Sequence, residues 1–213
     1  MADMHNDNRV GSGGDWREAD WEKGDGLIPA IIQDQATGQV LMLGYMNREA
    51  ADETVASGKV TFFSRSKSRL WTKGETSGNF LHYVSAELDC DRDTILIQAV
   101  PVGPACHTGS RTCFTDQLPN GVGFLAHLQQ LVQQRHAEMP EKSYTTSLFR
   151  EGKSRIAQKV GEEGVELALA RMKDDREEMA NEAADLLFHM LVLLEDGELE
   201  LGDVLKVLRQ RHG

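Results

Sequence analysis

The hydrophobic pattern of this chain changes character after residue 122, and this change most limits its possible folds. Before it, short apolar and β-branched runs separated by turn signals occupy residues 28–32, 39–43, 60–63 and 94–100. Beyond it, apolar residues recur at helical spacing, with a break at residues 139–143. The pattern predicts an α+β protein, with a β-rich amino-terminal domain followed by an all-α helical bundle.

Composition indicates where these domains begin and end. Residues 1–14 are polar and rich in Gly, Asp and Asn, so we expect residues 1–20 to form a mobile tail. The linker composition of residues 115–123 places the β-rich domain at residues 21–122 and the helical domain at residues 123–213. Asn47 is predicted to cap a helix over residues 48–57 that Gly58 ends. Two longer helices are predicted at about residues 153–172 and 176–194.

Charge and hydropathy exclude two classes of partner. The formal net charge of −11 opposes binding to nucleic acid, and no basic stripe with interleaved aromatic residues offsets it. No apolar run approaches the roughly 20 residues needed to cross a bilayer, and the amino terminus resembles neither a signal peptide nor a transit peptide. We therefore expect a cytoplasmic protein that binds neither nucleic acid nor membrane.

Every cysteine of the chain lies near an alternating run of carboxylates. The sequence E-L-D-C-D-R-D at residues 87–93 would, as an extended strand, direct three aspartates to one face and Cys90 to the other. An EF-hand is excluded because Thr94 and Val100 replace its glycine and its last glutamate. Carboxylates suit Mg²⁺ and thiolates suit Zn²⁺, which predicts two different metals here. Buried cysteines with only a packing role are the alternative.

The two long predicted helices carry a second group of carboxylates. Glu163 lies in the middle of an apolar stripe on the first helix, with Glu166 at its edge. Glu182 occupies the same kind of position on the second, with Asp185 and His189 alongside. Antiparallel packing would bring four carboxylates together, which repulsion and desolvation oppose unless a cation lies between them. The pattern favours a Mg²⁺ site that binds a di- or triphosphate; solvated acidic helix faces are the alternative.

Several motifs resemble two known enzyme families. The segments at residues 62–66, 70–79, 89–91, 105–109 and 113–114 together resemble phosphoribosyl-AMP cyclohydrolase. The segments at residues 143–145, 155–163 and 182–194, with Glu166, resemble phosphoribosyl-ATP pyrophosphohydrolase. Their order along the chain is similar to that of the bifunctional histidine-biosynthesis enzymes of bacteria. A generic nucleoside-triphosphate pyrophosphohydrolase with a structural zinc domain, or a metal-dependent binding module, would each explain only part of this pattern.

The resemblance implies two hydrolytic reactions on small nucleotide substrates. The helical domain would convert phosphoribosyl-ATP to phosphoribosyl-AMP and pyrophosphate, and the β-rich domain would then open the adenine ring between N1 and C6. It also implies a homodimer in which the β-rich domains pair. Such pairing would allow zinc ligands to be shared between chains, which would explain why Cys113 follows a mobile-looking segment at residues 108–112. The implied metal ligands are Cys90, Cys106 and Cys113 for zinc, Asp89, Asp91 and Asp93 for one magnesium site, and Glu163, Glu166, Glu182 and Asp185 for another.

Other residues are candidates for proton transfer and substrate binding. His107 is a candidate for proton transfer to or from the water at the zinc; the alternative is that it only supports the zinc ligands. Glu162 is a candidate for contacting the water of the pyrophosphohydrolase reaction; the alternative is a solvated surface residue. The candidates for binding the nucleotide and its phosphate in the first domain are Arg65, Ser66, Trp71, Lys73, Gly74, Glu75, Thr76 and Ser77. The candidates for neutralising phosphate in the second are Lys153, Arg155 and Lys159, for which an ordinary exposed role is the alternative.

Overall fold

A computed structural model of the protein describes residues 16–114 and 118–213. The chain divides into two compact units, one ending at Pro119 and the other running from Asn120 to Gly213. The first unit contains both β-sheets and the second contains only helices among its regular elements. The predicted α+β class, β-rich and then all-α, is confirmed.

The first unit is built around a four-stranded sheet. Its strands lie in the order β2-β1-β6-β5, with β1 parallel to β6 and the other neighbours antiparallel, and β3 and β4 form a separate antiparallel pair. The elements are β1 (Ile28–Asp34), β2 (Val40–Met46), α1 (Arg48–Ser57), β3 (Thr61–Ser64), β4 (Arg69–Thr72), β5 (Leu81–Leu88) and β6 (Ile95–Pro101).

Local sequence signals explain α1 and β1. The Asn47 side chain accepts a hydrogen bond from the Ala50 amide at 2.8 Å, and Gly58 ends the helix with a φ of 67°. Both predicted ends of this helix are confirmed. Along β1, alternate residues from Ile28 to Asp34 are buried, as expected of a strand with one face in the core.

Part of the predicted tail differs from the sequence-based expectation. Residues 1–15 lie outside the described residues. Trp16 begins a short 3-10 helix (Trp16–Glu18), and Trp16 and Ala19 are buried in the core of the first unit. The Asp20 amide donates to the Arg92 carbonyl oxygen at 2.7 Å. Residues 16–20 are therefore packed against the domain rather than forming part of a tail.

The expectation that residues 89–93 form an extended strand is wrong. Strand β5 ends at Leu88 and β6 begins at Ile95, so the aspartates lie in the connection between two antiparallel neighbours. The carboxylate of Asp89 accepts hydrogen bonds from the amides of Asp93 and Thr94, which closes the turn, and Arg92 adopts a φ of 60°. The alternation of strand side chains does not apply to a turn.

The second unit is a bundle of five described helices: α2 (Gly123–Glu138), α3 (Tyr144–Glu151), α4 (Lys153–Met172), α5 (Arg176–Asp196) and α6 (Leu201–His212). The predicted break at residues 139–143 is confirmed, with Ser143 capping α3. The side chain of Asp175 caps α5, and α4 packs against α5. The buried core contains Val132, Leu148, Ile156, Leu191 and Val192.

Among the described helices, none is both long enough and apolar enough to span a membrane.

Candidate metal and nucleotide sites

The turn between β5 and β6 gathers three carboxylates. Asp89, Asp91 and Asp93 each offer an oxygen, and these oxygens lie within 4.8 Å of one another. The ammonium group of Lys23 contacts Asp91 at 2.5 Å and Asp93 at 2.6 Å, and its hydrogen bond lowers the pKa of Asp93. Lys23 supplies positive charge to the carboxylate cluster, as a metal ion would. Sequence reasoning missed it because 68 residues separate it from Asp91.

Two of the three cysteines meet in the loop that follows β6. Cys106 and Cys113 line the same cavity, their interaction contributes to the lowered pKa of Cys106, and the Thr108 hydroxyl donates to the Cys106 sulfur at 3.1 Å. The hydrogen bond from Thr108 is the main reason why the pKa of Cys106 is lowered, which favours the thiolate that zinc requires. His107 lies beside them, with Nδ1 3.8 Å from the Cys106 sulfur.

The third cysteine lies apart from this pair. Cys90 is exposed in the turn between β5 and β6, whereas Cys106 and Cys113 both line a cavity that Cys90 does not. Within residues 16–114 and 118–213, no group of three potential ligands within 4.8 Å of one another includes a cysteine. One chain therefore presents two thiols together and the third at another place.

The cavity beside Cys106 and Cys113 has a volume of about 440 Å³. Trp71, which stacks on Phe62, lines it, as does the loop after β4. In this loop Gly74 has a φ of 92°, and a Cβ there would lie 2.6 Å from backbone atoms of Asn79 and Phe80, so only glycine fits. The predicted nucleotide-binding residues that line the cavity are Trp71, Lys73, Gly74, Glu75, Thr76 and Ser77.

Lys73 is buried, at 7% exposure, and burial lowers its pKa, while Cys113 and Cys106 oppose the shift. Its ammonium group donates to the Asn79 carbonyl oxygen at 3.3 Å. Glu75 instead forms an ion pair with Arg69 at 2.7 Å and accepts from the Thr72 amide, which closes the loop. Lys73 therefore brings positive charge to the cavity wall, while Glu75 maintains the shape of the loop.

Two predicted nucleotide-binding residues do not line this cavity in the described part of the chain. Arg65 and Ser66 are exposed in the turn between β3 and β4, and the guanidinium of Arg65 lies 3.7 Å from the ring centroid of Tyr45. A cation over an aromatic face is a favourable arrangement in its own right. The geometry does not bring Arg65 together with the other predicted residues.

The helical unit gathers its own carboxylates between α4 and α5. Glu163, Glu166 and Glu182 offer oxygens within 4.8 Å of one another, and Glu163 is only 4% exposed. Asp185 lies outside that group, although its charge contributes to raising the pKa of Glu182. The Lys159 ammonium contacts Glu163 at 2.5 Å, and this hydrogen bond lowers the pKa of Glu163. The site is acidic and partly desolvated, with oxygen donors that suit a hard cation.

A buried histidine, His189, lies beside this carboxylate cluster. His189 donates from Nδ1 to the Asp185 carbonyl oxygen at 2.9 Å, which leaves Nε2 to accept from the Tyr144 hydroxyl at 3.0 Å when the ring is neutral. The same Nδ1 lies 3.7 Å from Glu163. Tyr144 therefore links α3 to the acidic pair of helices, a contact that the spacing within α5 alone does not reveal.

The remaining predicted residues of this unit lie on α4. Glu162 accepts hydrogen bonds from Gln158 and Lys159 and pairs with Arg155 at 3.5 Å. Arg155 also pairs with Glu151, whereas Lys153 is exposed at the start of the helix. Lys159 thus contacts the acidic cluster directly at Glu163, Arg155 approaches it through Glu162, and Lys153 has no described contact with it.

Comparison with known proteins identifies both units. Residues 42–115 match the family described as Phosphoribosyl-AMP cyclohydrolase, and residues 125–212 match Phosphoribosyl-ATP pyrophosphohydrolase. The chain is 59% identical over 196 residues to the Histidine biosynthesis bifunctional protein HisIE of Escherichia coli K12, covering 92% of this chain and 96% of that one. Proteins of the same name from Salmonella typhimurium and Bacteroides thetaiotaomicron are 57% and 55% identical, with the same coverage of both chains.

A β-rich unit with a cavity beside paired thiols, followed by a helical unit with clustered carboxylates, defines a two-domain, metal-dependent hydrolase of nucleotides. The chain belongs to the family of bifunctional histidine-biosynthesis proteins, and it has both cyclohydrolase and pyrophosphohydrolase activities. The resemblance in the sequence motifs is confirmed. A single pyrophosphohydrolase activity with a purely structural first domain is therefore set aside.

Replacing Glu182 with glutamine is expected to leave the metal-free helical unit at least as stable as before. Partial burial and the nearby charge of Glu166 raise the pKa of Glu182, so the folded state disfavours its ionised form. The loss of folding stability caused by ionised Glu182 is absent below the ordinary pKa of 4.5 and complete above the raised pKa. Glutamine should therefore increase the stability of the folded state most near neutral pH. Denaturant unfolding followed by far-ultraviolet circular dichroism at acid and neutral pH measures the effect.

The same variant shows whether Glu182 is a metal ligand or a structural residue. A cation that binds only the folded carboxylate cluster should stabilise the unsubstituted helical unit by about 2.7 kcal/mol at a hundredfold its dissociation constant, and Mg²⁺ is the ion to test. Glu182→Gln should reduce that gain. A variant that is clearly less stable without metal, yet keeps the full response to magnesium, would show that Glu182 is a structural hydrogen-bonding partner.

Proposed function

We propose that the two activities use different metals held by chemically different ligand sets. In the helical unit, Glu163, Glu166, Glu182 and Asp185 would hold Mg²⁺. In the β-rich unit, Cys90, Cys106 and Cys113 would hold Zn²⁺, and Asp89, Asp91 and Asp93 a further Mg²⁺. The observation that carries this proposal is the separation of donors, with clustered carboxylates at two places and paired thiols beside a cavity at a third.

In the pyrophosphohydrolase reaction, bound magnesium would neutralise the triphosphate and lower the pKa of water. Glu163, Glu166 and Glu182 fit this ion because they offer hard oxygen donors close together, and Asp185 lies near them. Lys159 and Arg155 would shift from their carboxylate partners toward the phosphates. Glu162, which Gln158 would continue to orient, would contact the attacking water.

In the cyclohydrolase reaction, bound zinc would supply hydroxide at neutral pH. Trp71 and the loop at residues 73–77 would hold the nucleotide in the cavity, with Lys73 directed at its phosphate. His107 also lines the cavity, next to the Cys106 sulfur, and would transfer the proton between the water and the ring nitrogen that leaves the carbon. Arg65 and Ser66, outside the cavity wall, would contact only the parts of the substrate that extend from it.

We further propose that the protein is a homodimer in which the exposed Cys90 of one chain completes the zinc site of the other. Support comes from the geometry, because Cys106 and Cys113 meet while Cys90 lies outside their cavity. A dimer would bring a turn of one chain to the cavity of the next. Residues 21–122 and 123–213 would be the two catalytic domains, and the nucleotide substrates favour a cytoplasmic location.

Zinc content should follow dimerisation. The experiment measures metal content and light scattering on the same preparation as the protein is diluted, with Cys90→Ser as the variant. We expect one tightly bound zinc per chain in the dimer, and loss of zinc when the dimer dissociates or Cys90 is replaced. A stable monomer with full zinc occupancy would contradict the shared site.

A further inference from the structure

The loop that carries Cys106 and Cys113 is anchored to the sheet by an ion pair between Arg111 and a buried carboxylate. The guanidinium of Arg111 donates from Nη2 to the Asp34 carboxylate at 2.6 Å and from Nε to the Gln39 side-chain oxygen at 3.2 Å. Asp34 is 1% exposed and lies at the end of β1. The sequence suggested that residues 108–112 are mobile, but the structure fixes this segment at Arg111.

Asp34 is itself fixed from several directions. Its carboxylate accepts from the Thr37 hydroxyl at 2.8 Å and from the Ala36 amide at 3.1 Å, and its backbone pairs with Gln39 across the turn between β1 and β2. A carboxylate held in this way is an anchor of defined position, since moving it would break several hydrogen bonds to a buried group. The position of Arg111 follows from that of Asp34.

Backbone hydrogen bonds on both sides of Arg111 hold the loop near each of the two cysteines. The Arg111 carbonyl oxygen accepts from the Ala105 amide at 3.2 Å, and the Ser110 carbonyl oxygen accepts from the Cys106 amide at 3.0 Å. On the other side of Arg111, the Cys113 amide donates to the Leu41 carbonyl oxygen of β2 at 2.8 Å. Arg111 thus lies between the attachments of the two cysteines, at the point where the loop meets the sheet.

We infer that the Asp34–Arg111 pair is a positioning element that holds the Cys106–Cys113 loop in its zinc-binding shape. This inference rests on the proposal that these cysteines bind zinc. Neither residue touches the metal or the substrate in this account, so their replacement acts through zinc affinity. Arginine suits the role better than lysine, because its planar group can donate to Asp34 and Gln39 at once.

The test measures the zinc dissociation constant of the full-length protein, by competition with a chelator at one fixed protein concentration. Asp34→Asn and Arg111→Gln should each weaken zinc binding about tenfold or more, the size of loss typical of residues that orient metal ligands. Arg111→Lys should lie between these variants and the unsubstituted protein. Cyclohydrolase activity should recover when zinc is added in excess, and the absorption spectrum of bound Co²⁺ should change in Asp34→Asn.

Thr54→Val is the matched control for general destabilisation of the same unit. The buried Thr54 hydroxyl bonds to Ala50 and Thr61, in α1 and β3. This variant should keep the original zinc affinity. If Asp34→Asn and Arg111→Gln bind zinc as well as the unsubstituted protein, or Thr54→Val loses as much affinity as they do, the inference is overturned.

Cys106→Ser distinguishes this outcome from failure of the proposed zinc site. If Cys106→Ser loses zinc while the Asp34 and Arg111 variants keep it, only the positioning role is overturned. If Cys106→Ser binds zinc as well as the unsubstituted protein, the zinc proposal and the inference are overturned together. If Asp34→Asn does not fold, Arg111→Gln and Arg111→Lys decide the question, because the Arg111 side chain is 27% exposed and its loss leaves Asp34 bonded to its own turn.

Discussion

Cys106→Ser is expected to reduce adenine ring opening by at least about a thousandfold, because the variant removes a proposed ligand of the metal ion that would lower the pKa of the attacking water. Serine keeps the size of the side chain but does not supply a thiolate to zinc. The measurement supplies phosphoribosyl-AMP directly and follows the ring-opened product, so that the result does not depend on the first reaction.

Pyrophosphate release by the same preparation is the internal control. The carboxylates proposed to act on phosphoribosyl-ATP belong to the other compact unit, so their activity should change little in Cys106→Ser. Loss of both activities in a folded variant would contradict two independent sites. Undiminished ring opening would show that Cys106 is not a ligand of the catalytic metal.

Glu163→Gln should have the opposite effect, reducing pyrophosphate release by at least about a hundredfold, more than is usual for a residue that only orients a ligand. Glutamine preserves the shape of this nearly buried side chain but removes the charge that attracts a cation. The pKa of Glu163 is lowered, first by its hydrogen bond from Lys159, so the carboxylate is ionised throughout the neutral range and the loss should persist there.

Glu177→Gln is the matched control for Glu163→Gln, since Glu177 lies exposed in the first turn of α5. The control should retain pyrophosphate release and its response to magnesium. Ring opening of added phosphoribosyl-AMP should be normal in both variants. If Glu163→Gln and Glu177→Gln behave alike, the carboxylate cluster between α4 and α5 is not the site of the reaction.

Features with a local cause were predictable from the sequence. Asn47 and Gly58 mark the ends of α1 because a cap and a left-handed terminus need only neighbouring residues. Helix α4 runs over Lys153–Met172, as its periodicity predicted, and Glu163 is buried on it. Strand β4 was missed, because its pairing with β3 and the stacking of Trp71 on Phe62 are tertiary contacts.

The details of the sites depend on contacts that spacing cannot reveal. The strand period suggested a flat array of aspartates at residues 89–93, whereas a turn closed by the Asp89 carboxylate brings them together. Lys23 and Arg111 come from distant parts of the chain and meet their carboxylates only after folding. Residue types and spacing therefore indicated which carboxylates lie together, but the counter-ions and anchors required the fold.

The most direct test of the account is to locate each metal by anomalous X-ray scattering, in crystals grown with zinc and with Mn²⁺ in place of Mg²⁺. We expect zinc at about 2.3 Å from the sulfur atoms of Cys106 and Cys113. Manganese should lie among the carboxylates of Glu163, Glu166 and Glu182. Zinc bound only at those carboxylates, with no metal at the cysteines, would contradict the assignment of the two metals to two chemically distinct sites.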